Sequence, residues 1–241
     1  MTVTAIIQAR MGSTRLPGKI LKEVNGKPLL AYQLERIARA KYVDKVVIAT
    51  TVNQKDDVIV EFCDNNDVEY YRGSENDVLS RYYEAAELYE GDSIVRLTSD
   101  CPIIDPVILD KTIKYYDDND YDYVSNTIER TYPRGLDTEV FSRAALEKAY
   151  KEATLLRDKE HVTAYMYSNP KNFKLGYITN EQDYSEYRWT VDTTEDFELI
   201  ELILKKLYQE NNMFYMNDVI ELLKQNPEWV AINAHIEQKK L

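Results

Sequence analysis

Cysteine and histidine are nearly absent from the sequence, two of each in 241 residues. Cys63 and Cys101 are too few for a disulfide framework and are expected to be reduced thiols. His161 and His235 cannot form a multi-histidine metal centre, which removes the usual zinc arrangements. Glycine and proline number seven each, and no stretch rich in Gly, Ser or Pro divides the chain. One α/β domain over residues 1–241 is therefore expected, a size that buries roughly 70–75 % of the unfolded surface. Neither GxxxxGK[ST] nor GxGxxG occurs, which excludes a Walker loop and disfavours a dinucleotide oxidoreductase. A run of about 18 apolar residues is missing, as is a charged segment followed by a signal-type apolar one, so a cytoplasmic protein with no membrane partner is expected.

Positive charge is also short overall. The net charge is −12, which argues against nonspecific binding to nucleic acid or to an anionic membrane. The deficit is uneven: residues 1–41 contain eight Lys/Arg and two Asp/Glu, a net of +6, and the other 200 residues carry −18. A cationic N-terminal segment on an acidic body suits a local anion site, although Arg36, Arg39 and Lys41 also fit a charged helix face.

What is present starts with AIIQARMGSTRLPGK, Ala5 to Lys19. An apolar strand, Val3 to Ile7, breaks into a loop with Gly12, Ser13, Pro17 and Gly18 and three cations, Arg10, Arg15 and Lys19. Glycines let backbone N–H groups approach an anion, and proline stiffens the turn. Arginine offers a planar fork to phosphate oxygens and lysine a mobile point charge. Spacing alone leaves a solvated surface turn equally open.

Downstream, strand and helix patterns alternate. Asn25-Gly26 marks a turn, and Pro28 suits the first turn of a helix with Leu29, Leu30, Leu34 and Ile37 inward. Lys45–Thr50 is a β-branched run of the kind buried on both sheet faces. A helix at Asp56–Asn65, a strand at Glu69–Arg72, a helix at Asn76–Tyr89 and a strand at Ser93–Leu97 follow, the order of right-handed βαβ units. Ligands in such sheets lie beyond the carboxyl ends of the strands, which is where Asp100 falls. Asp105 before Pro106 reads as the N-cap of a helix Val107–Tyr116, whereas Asp100 could be an Asx-type turn.

The alternation then lapses. After a strand at Asp122–Asn126, Thr127–Ser142 reads as a loop or hairpin turning at Pro133 and Gly135, then a helix Arg143–Ala153. Such an excursion often covers a site or meets a partner. It carries Arg134, Asp137 and Glu139, the last two on one face if extended, with solvent exposure as the plainer reading. Leu156–Tyr167 is expected to be one helix begun by Asp158 and bearing His161, and Phe173–Thr179 a strand. Arg188–Val191 is expected to be a strand ended by Asp192, with Thr193 or Thr194 capping a helix whose apolar face is Leu199, Ile200, Ile203 and Leu207. Met216–Lys224 gives a last helix, and the tail offers little. The 20 tyrosines read as packing residues.

Taken together, QARMGSTRLPGK, NGKPLLAYQLERI, SDCP, YPRGLDTEVF, EHVT and RWTVD resemble the sugar-acid cytidylyltransferase superfamily, its SpsF-like (spore-coat polysaccharide) branch in particular. The acylneuraminate and 3-deoxy-manno-octulosonate enzymes are related. Ser99 stands where that branch commonly has glycine. The resemblance spans nearly the whole chain and implies a three-layer α/β/α Rossmann-like fold with a mostly parallel mixed sheet. It also implies a nucleotide site at Ala9, Arg10, Met11, Gly12, Ser13, Arg15 and Lys19, and Mg2+ on Asp100 and Asp192. Arg10, Lys19, Asp100 and Asp192 would carry the transfer of CMP from CTP to a sugar-acid hydroxyl. Arg134, Asp137, Glu139, His161 and Arg188 are candidates for the acceptor pocket, and a homodimer is expected. Two other readings stand beside it. A nucleotide-sugar glycosyltransferase usually carries a DxD motif, but here Asp118-Asn119-Asp120 reads as the polar end of a helix. A nucleotide-binding partner without turnover is the third.

Overall fold

The computed structural model describes residues 2–208 and 213–238. Its first strand, β1 (Val3–Gln8), has apolar residues on both faces. Ala5 and Ile7 pack into one buried cluster while Ile6 packs into another, as the two-residue strand period requires. That double burial dictates a layer of helices on each side.

A small hairpin, β2 (Glu23–Val24) with β3 (Lys27–Pro28), turns at Asn25-Gly26 and leads into α1 (Leu29–Ile37). Next come β4 (Lys45–Thr51), α2 (Asp57–Asn65), β5 (Glu69–Gly73), α3 (Val78–Tyr89), β6 (Ser93–Thr98) and α4 (Pro106–Asp117). Residues of α1, α2 and α4 fill one core, and α3 meets the other. After α4, β7 (Tyr123–Ser125) and β8 (Glu139–Ser142) flank the excursion, followed by α5 (Arg143–Glu152), α6 (Leu156–Glu160), α7 (Ala164–Ser168) and β9 (Leu175–Tyr177). The chain continues through α8 (Thr194–Ile203), prolonged by a π-turn at Leu204–Tyr208, then α9 (Met216–Gln225) and α10 (Pro227–Asn233).

The sheet order is β5-β4-β1-β6-β8-β7-β9. Every pairing in it is parallel except those of β8, which runs antiparallel to β6 and β7. This is the mostly parallel mixed sheet between helical layers that the resemblance implies. The chain steps outward from β1 through β4 and then returns to β6 on its other side, so the β1–β6 boundary is the switch point at which such sheets open a crevice.

Three expectations need correction. Leu156–Tyr167 is two short helices rather than one. They part at His161–Thr163, where Val162 takes φ +20, a conformation a continuing helix cannot hold. Arg188–Val191 forms one isolated bridge, Arg188 with Arg134, and joins no strand ladder. Its amides go to loops instead: Trp189 N–H donates to Arg134 O at 2.7 Å and Val191 N–H to Asp100 O at 2.8 Å. Met216–Lys224 is not the last helix: α10 follows it, packs on α8 and buries its Asn233. Other elements lie close to expectation. Asp105 caps α4 through Val107 N–H at 2.8 Å, and Thr193 caps α8 in a reciprocal box with Asp196. A third apolar cluster, around Trp189, Leu199 and Ile200 and the face of α9, anchors the Arg188–Asp192 segment beside the sheet.

Candidate active site

The loop after β1 is tied down from within and from its neighbours. Ala9 N–H donates to Ala49 O at 3.0 Å, extending the β1–β4 contact, and Met11 N–H donates to the buried Asp56 carboxylate at 2.7 Å. Ser13 and Gly18 N–H both donate to Met11 O, at 2.9 and 3.1 Å, which folds Gly12–Pro17 into a closed turn. Gly18 sits at φ +68, where a side chain would be strained, and directs the chain into a 3-10 turn at Lys19–Leu21 that buries Ile20. Lys19 is thereby fixed at its backbone while its amine reaches across the switch point.

That amine meets two carboxylates from distant parts of the chain. Lys19 Nζ lies 2.8 Å from Asp100 Oδ2 and 2.8 Å from Asp192 Oδ1. Asp100 follows the end of β6, and Asp192 leads into α8. Val191 N–H on Asp100 O brings the two segments together. Burial pushes the Asp100 carboxyl up, but the Lys19 ammonium and hydrogen bonds from Thr98 and Cys101 outweigh it and hold the group at about 2. Burial likewise pulls Lys19 down, and attraction from Asp100 and Asp192 wins, leaving the amine above its ordinary value. Asp192 Oδ2 also accepts from Arg15 at 2.9 Å and from Arg188 at 2.8 Å. Two carboxylates therefore face three cations from the loop and from the Arg188 segment.

Not every loop residue joins this group. Arg10, half-exposed, lies 3.6 Å from Glu75, which Lys55 also approaches at 3.0 Å. Gly12 lies against the same neighbours, where a Cβ would stand 2.9 Å from Lys55 Nζ. Ser13 Oγ accepts from Leu16 N–H at 3.4 Å within the turn.

Beside the carboxylate pair opens a cavity of about 600 Å3, bounded by β6, β8 and the 127–137 excursion. Asp100 and Asp192 stand on its wall, as do Arg134, Asp137, Glu139 and His161. Glu139 is buried rather than solvated as the plainer reading had it. It accepts from Arg96, from Tyr123 Oη at 2.6 Å and from Thr163 Oγ1 at 2.6 Å. Burial raises its carboxyl, yet Arg96 and the hydroxyls bring it below the ordinary value. Asp137 takes a two-pronged contact from Arg130 at 2.6 and 2.9 Å. Arg134 has its backbone pinned between Tyr187 O and Trp189 N–H but no carboxylate on its guanidinium among the described residues. Burial, together with the nearby Arg130, lowers its affinity for its proton. Arg188 does not line the cavity; it stands behind Asp192, clasping Asp196 as well.

Sequence reading passed over Arg96 and Arg130. Arg96 did carry a signal: a lone charge inside SIVRLT, an otherwise apolar strand buried on both faces, must find a partner there. Arg130, in a polar loop, carried none.

Cytidylyltransferase is the family whose profile matches, over residues 4–224. The spore coat polysaccharide biosynthesis protein SpsF of Bacillus subtilis is 34% identical, covering 92% of this chain and 94% of its own. A 3-deoxy-manno-octulosonate cytidylyltransferase of Geobacter metallireducens is 31% identical over 68% of this chain and 69% of its own. The solved structure of a cytidylyltransferase of Leptospira borgpetersenii superposes with a TM-score of 0.91 at 38% identity, each chain covered completely. With the sheet and its strand-end loop, these likenesses define a nucleotidyltransferase. The chain belongs to the cytidylyltransferase family and is SpsF-like within it.

Among the described residues no cluster of three or more His, Cys, Asp or Glu gathers at one point; Asp100 and Asp192 are a pair. Such a pair suits Mg2+, a hard cation that takes one or two protein carboxylates and completes its shell with phosphate oxygens and water. Among the described residues, no helix is long and apolar enough to cross a membrane.

Proposed function

We propose that the protein transfers CMP from CTP to a hydroxyl of a sugar acid, in surface or spore-coat polysaccharide biosynthesis. The acceptor oxygen bonds to the α-phosphorus, the bond from that phosphorus to the β-phosphate bridging oxygen breaks, and pyrophosphate and a proton leave. One observation carries the reading: the Lys19 amine, delivered by the phosphate-type loop, bridges Asp100 and Asp192 at the wall of a 600 Å3 cavity. On this reading the donor and acceptor sites would meet at those two carboxylates. The names of the relatives, one a spore-coat polysaccharide protein and one an octulosonate cytidylyltransferase, support an acidic sugar as acceptor.

Arg15 and Lys19 would exchange their carboxylate partners for phosphate oxygens, and the closed turn of Gly12–Gly18 would hold the triphosphate in line. Asp100 and Asp192 would hold Mg2+, which when bound lowers the pKa of the acceptor hydroxyl and offsets charge developing on the phosphates. In the cavity Arg96 and Arg130 are already neutralised by Glu139 and Asp137, leaving Arg134 to meet the acceptor's carboxylate.

Pyrophosphate release with CTP, ATP, GTP and UTP against a panel of eight- and nine-carbon sugar acids tests this. Release is expected with CTP and an acidic acceptor. Activity with another nucleotide and none with CTP would reject the assignment, and hydrolysis of a nucleotide sugar without pyrophosphate chemistry would point to a glycosyltransferase.

A further inference from the structure

The family match ends at residue 224, yet the contacts that fix Asp192 continue beyond it. Arg188 Nη2 donates to Asp192 Oδ2 at 2.8 Å and to Asp196 Oδ2 at 3.1 Å, and Arg188 Nε donates to Asp196 Oδ1 at 2.8 Å. Asp196, fully buried, also accepts the backbone N–H of Asp192 and of Thr193, both at 3.0 Å. A further partner comes from the last turn of α10. Asn233 Nδ2 donates to Asp196 Oδ1 at 2.8 Å and to the carbonyl of Arg188 at 2.9 Å. Both protons of that amide are thus spent on the two residues that grip Asp192. Asn233 is itself 3% exposed.

We infer that Asn233 is a positioning residue for Asp192. It locks the Arg188–Asp196 pair, and that pair sets which way the Asp192 carboxylate faces and how much of its charge is left for a cation. An asparagine suits this task because it adds no charge. An acid would oppose Asp196, and a lysine would compete with Arg188 for it. Partners that orient a metal-holding carboxylate typically change metal affinity about 10- to 100-fold when removed. The inference rests on the proposed reading of Asp192 as a metal-holding residue.

The test is Mn2+ binding, followed by electron paramagnetic resonance with a non-hydrolysable CTP analogue present, in wild type, Asn233→Ala, Asn233→Asp and Asp192→Asn. Leu223→Ala, a buried truncation in α9, serves as a stability control. Asn233→Ala is expected to weaken Mn2+ binding about tenfold and Asn233→Asp to weaken it as much or more. CTP binding in a chelator and the response of Leu223→Ala to Mn2+ are expected to stay at wild-type values. If Asp192→Asn abolishes Mn2+ binding while both Asn233 variants keep wild-type affinity, positioning by Asn233 is overturned. If Asp192→Asn itself leaves Mn2+ binding intact, the reading of Asp192 fails and this inference with it. Equal weakening in Leu223→Ala would reduce the Asn233 effect to lost stability and also overturn the proposal.

Discussion

Replacing Lys19 by methionine removes one charge while keeping the buried stem, and the consequences can be worked from its two contacts. Its side chain is 10% exposed and that of Asp100 21%, so solvent screening is small. Asp192 keeps Arg15 and Arg188, but Asp100 loses its only ion pair among the described residues. The fall of the Asp100 carboxyl from 3.8 to about 2 is the balance of burial against Lys19, Thr98 and Cys101, with Lys19 the largest of the lowering influences, and it sets the scale of the loss at about 2 kcal/mol, at about 1.4 kcal/mol per pH unit. For a chain of this length that is a melting point lower by about 4–8 °C. The pH dependence is the sharper test. Asp100 is depressed in the folded state, so its share is present above pH 3.8 and is lost as pH falls toward 2. Lys19 is raised, so its share is present below pH 10.5 and is lost as pH climbs through the folded value. Burial raises the Asp100 carboxyl once Lys19 is gone, so the gap between wild type and Lys19→Met should be widest near neutral pH and narrow toward both ends. Denaturant melts without nucleotide at pH 3, 5, 7 and above 10.5 would read it. Coincident melts at pH 7, or a gap that does not narrow toward either extreme, would refute the bridge as a stabilising contact.

Two further outcomes concern the cavity wall. Arg134→Ala should raise the acceptor KM about 10- to 100-fold, the worth of a hydrogen-bonded ion contact, with the CTP KM unchanged; steady-state kinetics with each substrate varied in turn decide it. Gly135 sits at φ +100, with the place of a Cβ 2.6 Å from the carbonyl carbon of Trp189. Gly135→Ala should cost at least about 2 kcal/mol in a denaturant melt, because both the φ and the contact oppose it.

Much of the sheet was legible because local pattern and global fold agree. KVVIAT is a continuous β-branched run and SIVRLT is apolar but for Arg96 among its inner residues, and both became strands buried on two faces. Asp105-Pro106 and Thr193 announced helix starts by chemistry that acts within one turn. The misread segments depend on contacts far along the chain. Arg188–Val191 has the composition of a strand, but its N–H groups are taken by Arg134 and Asp100, and nothing near it in sequence reveals that. Glu139 looked like an exposed strand residue because its partners, Arg96, Tyr123 and Thr163, come from β6, β7 and the break between α6 and α7. Asn233 was invisible for the same reason: an asparagine near a chain end has no pattern until α10 folds over α8. The loop after β1, in contrast, advertised its cations and glycines. Even there spacing could not say that Lys19 and Arg15 turn inward while Arg10 turns toward Glu75.

The reversed direction of β8 ties the two sides of the switch point together. Because β8 runs against β6, it begins where β6 ends, with Glu139 opposite Arg96, and the chain leading into it must arrive over the carboxyl edge of the sheet. Residues 127–137 therefore form one wall of the cavity without belonging to any ladder, while the loop after β1 stands on the other side of the switch point. Within that incoming segment Tyr132 and Leu136 are buried in the cluster around Trp189, and the Arg134 backbone holds the stretch that leads to Asp192, so the loop that walls the chamber also steadies one of the two carboxylates Lys19 bridges. A change in this one loop is thus felt on both sides of the switch point.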